Sequence, residues 1–187
     1  MNKLYIGLVH FPIYNKHHEI VKTSVTTIDV HDIARASKTF DVSRFFVITP
    51  VEIQQNLVTE LILHWKDGFG GEYNPIRKKA LKIAKVIDSI EDTLAEIEGE
   101  EGEKPIIIAT SAQKDNLDKS KIKQIIEVKN ELLGKKPTLI LFGTGWGLAD
   151  EVLNMSDYIL EPIRGDAPFN HLPVRSAVSI YLDRLIS

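Results

Sequence analysis

The sequence contains no cysteine. This absence excludes disulfide bonds, thiolate metal sites and a cysteine nucleophile, and it fits a reducing cytoplasm, where we expect the protein to lie. No apolar run approaches the roughly 18 to 20 residues that a membrane-spanning helix needs, so we expect no membrane segment. The first apolar stretch, Leu4–Val9, is broken by Gly7 and leads to Pro12 without a small-residue cleavage site. It therefore predicts a β-strand rather than a signal peptide.

Internal repeats, low-complexity tracts and linkers are also lacking, so we predict a single domain over residues 1–187. That length supports one full hydrophobic core. His17 and His18 are adjacent, but two neighbouring histidines without further ligands make a poor metal site, and we predict no metal.

An excess of positive charge is missing too, because the net charge is −3. This disfavours a general nucleic-acid coat protein. The charge is uneven, however: residues 88–103 carry eight acidic side chains and residues 114–136 carry seven lysines. A small basic face is therefore compatible with the negative total.

The hydrophobic pattern predicts strands that alternate with helices. We predict strands at residues 4–9, 45–49, 106–109, 139–142 and 158–160, and helices at residues 29–40, 51–65, 75–97, 120–133 and 173–186. Asp29 is the predicted cap of the first helix, after a long loop at 14–27. Several strands are uniformly apolar, which predicts an α/β fold with a mostly parallel sheet and helices on both faces. In such sheets a ligand binds beyond the carboxyl ends of the strands.

A glycine-rich run, Gly143-Thr144-Gly145-Trp146-Gly147, follows the fourth predicted strand. A dinucleotide-binding motif has the form GxGxxG and opens a helix in the first βαβ unit, with an acidic residue about twenty positions later. Here the run lies late in the chain, and Trp146 is bulky where a helix should pack closely. The pattern favours a pocket for another adenosine-bearing cofactor, with a tight turn that needs positive φ as the alternative.

Four segments carry a family resemblance. Residues 139–148, 160–165 and 170–177 resemble the second and third signature motifs of the SPOUT class, the trefoil-knotted S-adenosylmethionine-dependent RNA methyltransferases. In the third motif, Glu161-Pro162-Ile163-Arg164-Gly165 is similar to the first half and His171-Leu172-Pro173-Val174-Arg175 to the second. Residues 29–42 resemble the first motif, with Arg35 at the place of its arginine.

The resemblance is closest to the small stand-alone bacterial branch. It implies a C-terminal deep trefoil knot, S-adenosylmethionine as cofactor, and methyl transfer to a ribose 2′-OH or a base nitrogen of tRNA or rRNA. It also implies that backbone groups of the loops hold the cofactor. The implied cofactor-binding residues are Thr110, Ser111, Gly143, Thr144, Gly145, Trp146, Gly147, Glu161, Pro162, Ile163, Gly165, His171, Leu172 and Val174.

Methyl transfer is an in-line displacement in which the acceptor must lose a proton, so a base or an arginine near the developing anion is expected. Arg35 is the first candidate, with a surface helix arginine as the alternative. Asn170 and His171 follow as orienting residue and possible base, and a loop-capping role is an equal alternative. Arg164 and Arg175 are candidates for contact with RNA phosphate or with a partner subunit.

Relatives of this class are usually homodimers, so the resemblance also implies a dimer. The closing helix carries an apolar stripe suited to a dimer surface or to the core: Val174, Ala177, Val178, Tyr181, Leu182 and Leu185. Phe69 and Tyr73 are candidates for stacking on RNA bases, with packing as the alternative. A catalytically inactive knotted protein that binds S-adenosylmethionine or RNA is the main rival function, and a dinucleotide-binding enzyme is the second.

Overall fold

The computed structural model describes residues 3–112, 117–131, 133–166 and 169–187. Its main sheet is built from β1 (Leu4–Val9), β4 (Arg44–Ile48), β5 (Ala84–Ile87), β6 (Ile106–Thr110), β7 (Ile122–Lys123), β8 (Thr138–Gly143) and β9 (Tyr158–Leu160). The strand order is β5-β4-β1-β8-β6-β9-β7, and each neighbouring pair is parallel. Two short strands, β2 (Ile13–Tyr14) and β3 (Ile20–Val21), form an antiparallel hairpin after β1.

The helices are α1 (Thr27–Thr39), α2 (Glu52–Lys66), α3 (Phe69–Tyr73), α4 (Pro75–Leu81), α5 (Ile90–Glu101), α6 (Ile125–Glu131), α7 (Asp150–Met155) and α8 (Val174–Ile186). They cover both faces of the sheet. Strand β1 shows why, because its side chains alternate between two buried clusters. Leu4, Ile6 and Leu8 join the cluster under α1 and α8, whereas Tyr5 and Val9 join the one under α5 and α7. The predicted fold class, a mostly parallel sheet with helices on both faces, is confirmed.

The long helix predicted at residues 75–97 is wrong. The structure divides it into α4, β5 and α5. Strand β5 is held against β4, where Phe45 N donates to Ile83 O (2.9 Å) and Thr49 N donates to Ile87 O (3.0 Å). The apolar residues recur at helical spacing across all three elements, so their period did not reveal the strand. Ser89 marks the start of α5, because its Oγ accepts from Asp92 N (3.0 Å).

Three further predictions need correction. The helix predicted at 120–133 is β7 followed by α6, and residue 132 lies outside the described part of the chain. Residues 14–27 contain most of the hairpin rather than only a loop, and α7 was not predicted. Helix α1 is capped by Thr26, whose Oγ1 accepts from Asp29 N (3.4 Å), so Asp29 lies inside the first turn.

Helix α2 buries less of its apolar face than its pattern predicts. Val58 is buried, but Ile53 is 77% exposed and Leu57 is also exposed. Along the described ranges, no helix is long and apolar enough to cross a membrane.

Candidate active site

Four loop segments meet at the carboxyl edge of the sheet. Strands β8, β6 and β9 are neighbours and run parallel, so the loops that follow them leave from the same edge. Thr110 Oγ1, at the end of β6, donates to Leu141 O in β8 (3.0 Å). Asn170 Nδ2 donates to Ala112 O (3.2 Å), which ties the segment before α8 to the loop after β6. The structure therefore brings the predicted cofactor loops together.

The loop after β8 is fixed by the β2–β3 hairpin. Trp146 N donates to Tyr14 O, and Tyr14 N donates to Gly147 O, both at 3.0 Å. Gly145 has φ of +56°, and a Cβ there would lie 3.1 Å from methyl groups of Ile13 and Thr23. Gly147 has φ of +106°. Turn geometry and packing thus account for both glycines, and a ligand is not needed to explain them.

The backbone of this loop nevertheless presents a surface. A Cβ on Gly147 would meet open space, and Trp146 is 55% exposed. Gly143 is different, because a Cβ would lie 2.7 Å from Leu148 N. Gly143 is required because the chain turns back tightly and brings Leu148 against it, whereas Trp146 and Gly147 are open to a ligand.

Glu161 is largely occupied by the protein itself. Its N–H donates to Lys123 O (3.0 Å), and its carbonyl oxygen accepts from Tyr181 Oη (2.7 Å). Its Oε1 accepts from Ile125 N (3.2 Å) at the start of α6. Burial raises the pKa of Tyr181 to about 12, so this hydroxyl remains a donor at physiological pH. Glu161 positions the loop, and little of it remains for a cofactor.

The predicted cofactor residues of this segment form two groups: some side chains pack into the core, and others are exposed to solvent. Pro162 is buried, and the partly buried Ile163 and Val174 pack against the core under α1 and α8. These three offer a ligand only their backbone. Leu172 and His171 are exposed. A Cβ on Gly165 would meet nothing within 4 Å. This combination fits S-adenosylmethionine, whose adenine needs apolar contact and backbone hydrogen bonds.

The two predicted polar residues before α8 play different parts. Asn170 is half-buried and uses its amide to hold the loop after β6, which is the loop-capping alternative. His171 is exposed, and its ring lies 5.2 Å from the ring of Phe169, centroid to centroid. His171 is thus free to turn toward an acceptor, whereas Asn170 is engaged. Ser111, which precedes Ala112 in the loop after β6, is half-buried.

Arg35 lies in a groove between α1 and α8, about 520 Å³ in volume, which also contains Asp32, Arg175 and Ser179. Arg175 Nη1 donates to Asp29 Oδ1 (3.1 Å), and its Nε lies 3.7 Å from Asp32 Oδ2. Both helices begin at the carboxyl edge of the sheet, and Arg175 is in the first turn of α8. The groove therefore opens next to the loop segment that precedes α8.

The two arginines of the groove are not equally paired. Arg175 contacts two carboxylates and its side chain is 35% exposed. Among the described residues, Asp32 is the only carboxylate that pairs with the Arg35 side chain, at 3.9 Å, and that side chain is 61% exposed. An arginine stays charged at any physiological pH. Arg35 is consequently the arginine that can meet an incoming anion without first breaking a short ion pair.

A buried histidine was not predicted as part of the site. His10 follows β1 at the carboxyl edge and is 1% exposed. Thr144 Oγ1 donates to Val9 O (3.0 Å) and contacts Thr23 Oγ1, which in turn contacts His10 Nδ1 (3.1 Å). Each of these three contacts needs one hydrogen, and each hydroxyl has only one to give. Because Thr144 donates to Val9 O, Thr23 must donate to Thr144, and His10 must donate to Thr23 from a proton on Nδ1. The sole sequence signal was its place at the end of an apolar strand.

His10 is neutral in this position. Burial lowers its pKa to about 4, although the nearby Asp29 carboxylate acts in the opposite direction. Its Nε2 is buried and has no hydrogen-bond partner among the described residues. His10 is therefore an uncharged group that is tied through Thr23 to the Thr144 loop and lies close enough to Asp29 to feel its charge.

Among the described residues, no group of three histidine, aspartate or glutamate side chains is placed to hold a metal ion.

Comparison with known proteins identifies the family of this chain. Residues 3–187 match the model of a family of S-adenosylmethionine-dependent RNA methyltransferases. The chain belongs to this family. A tRNA (guanine-N(1)-)-methyltransferase of Oleidesulfovibrio alaskensis is 41% identical over 98% of the chain. An uncharacterized protein of Aquifex aeolicus is 33% identical, again over 98% of the chain and over 88% of its own length.

Solved structures show the same fold. A putative methylase family protein from Neisseria gonorrhoeae has a TM-score of 0.64 at 14% identity. The match covers 98% of this chain and 81% of the Neisseria chain. The SpoU methyltransferase AviRb from Streptomyces viridochromogenes has a TM-score of 0.61 at 12% identity, over 100% of this chain and 60% of its own. The predicted membership in the S-adenosylmethionine-dependent RNA methyltransferases is confirmed by the family match, and the fold is shared with these solved methylase structures.

The match to the named tRNA methyltransferase covers only part of that protein. This family member spans 42% of the Oleidesulfovibrio protein. More than half of that relative thus lies outside the match, and its name describes the whole protein.

Proposed function

We propose that this chain transfers a methyl group from S-adenosylmethionine to tRNA or rRNA. The observation that carries the proposal is the meeting of the three motif-bearing loops at one edge of the parallel sheet, next to the Arg35 groove, in a member of this family. Gly165 and Leu172 are exposed, as is Trp146 in the loop after β8, and these open positions support a cofactor site at this edge.

The roles of the residues follow from their placement. When bound, S-adenosylmethionine supplies an electrophilic methyl group on a sulfonium. The backbone around Gly147 and Gly165 would hold the adenosine part, and Leu172 would cover it. The acceptor oxygen or nitrogen forms the new bond to the methyl carbon as the carbon–sulfur bond breaks, and the acceptor proton leaves to a base or to water. Arg35 would stabilise negative charge on the acceptor, and His171 is the candidate base.

The acceptor belongs to RNA, and tRNA is the substrate that the relatives favour. The Oleidesulfovibrio protein and a second relative, from Nitratidesulfovibrio vulgaris at 39% identity, are both named tRNA (guanine-N(1)-)-methyltransferases. Guanine N1 is thus one base nitrogen to test. Because each match covers 42% of the relative, that activity can reside in the other part, and the ribose 2′-OH stays an equal candidate.

The partial coverage of these two relatives favours a second function. In it, the chain is a module that binds S-adenosylmethionine or RNA without transferring a methyl group. A piece that recurs within a larger methyltransferase is suited to assist another catalytic part.

Calorimetry and a transfer assay separate the two functions. We expect micromolar binding of S-adenosylmethionine, and transfer of a tritiated methyl group to unmodified total RNA. Arg35→Ala should lower the transfer rate about 10² to 10³-fold, as the loss of an anion-stabilising group does, with cofactor affinity nearly unchanged. Arg184→Ala, an exposed arginine near the end of α8, is the matched control.

Each outcome has a meaning. Cofactor binding without transfer to any RNA would establish the binding module. A protein that binds neither S-adenosylmethionine nor S-adenosylhomocysteine would contradict the methyltransferase, and one that also fails to bind RNA would contradict the binding module. Full activity of the Arg35→Ala variant would remove Arg35 from the site and leave the methyltransferase assignment standing.

We further propose a cytoplasmic homodimer whose C-terminal segment forms the trefoil knot. The absence of cysteine supports the location, and the resemblance of the sequence motifs to the SPOUT class supports the dimer and the knot. The predicted dimer stripe on α8 is not available, however, because Val178, Tyr181, Leu182 and Leu185 are buried within the chain. Sedimentation equilibrium should give about twice the monomer mass of 21.1 kDa, and a monomer at all concentrations would contradict the dimer.

A further inference from the structure

We propose that α3 and α4 carry an RNA-contacting surface, in which a stacked aromatic pair accepts an unpaired nucleotide and neighbouring cations hold its phosphates. We name it the α3–α4 surface and define it by Phe69, Tyr73, Arg77, Lys79 and Lys82. The inference deepens the proposed function, because it locates where the RNA lies relative to the Arg35 groove.

The aromatic pair is solvent-exposed. Phe69 is 73% and Tyr73 80% exposed, and their rings stack with centroids 6.3 Å apart and planes at 25°. They are four residues apart on α3 and so lie on one face. Packing, the alternative explanation for these residues, is wrong. Exposed rings at this spacing present π-faces on which any base can stack.

The glycines of α3 explain why the rings point outward. Gly70 and Gly71 are buried, and a Cβ on Gly71 would lie 2.3 Å from Trp65 O at the end of α2. The glycine face of this short helix therefore rests on the α2 backbone. Phe69 and Tyr73 occupy the opposite face and cannot join the core without lifting α3.

The neighbouring helix supplies positive charge. Residues 75–82 contain four basic side chains and no acidic one, in a chain whose net charge is −3. Lys79 and Lys82 are exposed. Arg77 lies over the Trp65 ring, 4.6 Å from its centroid. In the described part of the chain, none of these four cations forms a salt bridge with a carboxylate.

A chain of contacts connects this surface to the Arg35 groove. The Trp65 ring, under Arg77, meets the His31 ring edge-on, with centroids 5.5 Å apart. His31 belongs to α1, the helix of Arg35. Burial lowers the pKa of His31, and the positive charges of Arg77 and Arg35 lower it further, which places both arginines near its ring. Cations thus extend from Arg35 in the groove to the basic residues of α4. In the proposed complex, the phosphate backbone of the RNA follows this line of cations.

Charge decides between RNA and a second copy of the chain. An isologous dimer through this surface would bring the basic residues of α4 close to their own copies. Like charges facing each other across an interface cost several kcal/mol. A polyanion turns the same unpaired cations into favourable contacts, and exposed aromatic side chains suit unstacked bases in loops and ends of RNA.

The first test removes the rings. The Phe69→Ala, Tyr73→Ala double variant should bind an unmodified tRNA transcript about tenfold or more weakly in fluorescence anisotropy, given the usual contribution of base–aromatic stacking. Its KM for RNA should rise while kcat changes little. The Phe69→Tyr, Tyr73→Phe double variant exchanges the hydroxyl and keeps both rings, so it should bind like the unaltered protein.

The second test reverses the charge. The Lys79→Glu, Lys82→Glu double variant should weaken RNA binding and flatten the dependence of log Kd on log salt concentration, by about 0.7 to 0.9 for each phosphate that a lysine no longer neutralises. The Lys135→Glu, Lys136→Glu double variant makes the same change in net charge. These lysines are exposed and precede β8, at the amino edge of the sheet, so RNA binding should be affected far less.

The outcomes are distinguishable from a failure of the proposed function. If the unaltered protein transfers methyl groups but the ring-deleted variant keeps the same KM and Kd for RNA, the α3–α4 surface is not an RNA site. If the ring deletion instead turns a dimer into a monomer in sedimentation, the surface is a subunit interface and the RNA proposal is wrong. Calorimetry with S-adenosylmethionine should give unchanged affinity in all variants, which shows that the fold is intact.

Discussion

His10 shows how a single residue couples the site to pH. Its ring is buried beneath the carboxyl edge and is tied through Thr23 to Thr144 in the glycine loop. The nearby Asp29 carboxylate favours the charged ring, but it is itself paired with Arg175 and offsets only part of the cost of a buried imidazolium. Protonation of His10 would therefore introduce a charge without a free counter-ion.

This arrangement predicts acid sensitivity. The pKa of His10 is about 4 in the folded chain and about 6.5 when unfolded. The unfolded chain thus binds more protons between these values, so His10 contributes its full stability above pH 6.5 and loses it as pH falls toward 4. Between pH 7 and pH 5 this loss should be about 2 kcal/mol in the free energy of unfolding. Urea titrations at both pH values measure it.

A matched substitution isolates the contribution of His10. His10→Gln keeps a side-chain N–H for Thr23 but does not titrate, so its unfolding free energy should fall less between pH 7 and pH 5. His17→Gln, at an exposed position in the hairpin turn, is the control. Equal pH dependence in the His10→Gln variant and the unaltered chain would show that His10 is not buried as a neutral ring.

At the level of elements, the sequence pattern failed to predict several short segments but correctly predicted the strands that are mostly buried. Strands β1, β8 and β9 were predicted nearly to the residue because their apolar runs are bounded by polar residues or glycine. Strand β5 was missed because its partner β4, and not its own period, selects the extended form. A serine followed three residues later by an aspartate, at Ser89, was the available signal for the start of α5.

The candidate site was predictable where motifs carry it and not where distant residues meet. The loops after β6, β8 and β9 followed from sheet topology and from the family motifs. The pairing of Asp29 with Arg175 spans 146 positions, and the contact of Thr23 with Thr144 spans 121. No local pattern reports such contacts. The exposure of Phe69 and Tyr73 was likewise set by how α3 rests on α2, which composition does not encode.

At the scale of the whole molecule, the loops at the carboxyl edge should make stability depend on cofactor. A ligand that binds only the folded chain adds RT ln(1 + [L]/Kd) to the unfolding free energy, about 2.7 kcal/mol at 100 times Kd. For a chain of 187 residues this raises the Tm by roughly 5 to 11 °C. S-adenosylmethionine and S-adenosylhomocysteine should both produce the shift, and NAD should not. Differential scanning fluorimetry measures it.

A pair of exposed apolar positions localises this stabilisation. Leu172 is 45% exposed in the segment before α8, and Ile126 is 54% exposed on α6. Leu172→Glu should lose most of the Tm shift, because a carboxylate replaces the apolar contact to adenine, whereas Ile126→Glu should retain it. Neither substitution empties the core, so both unliganded variants should melt near the unaltered chain. An undiminished shift in Leu172→Glu would place the adenine elsewhere, and a shift with NAD alone would favour the dinucleotide-binding alternative.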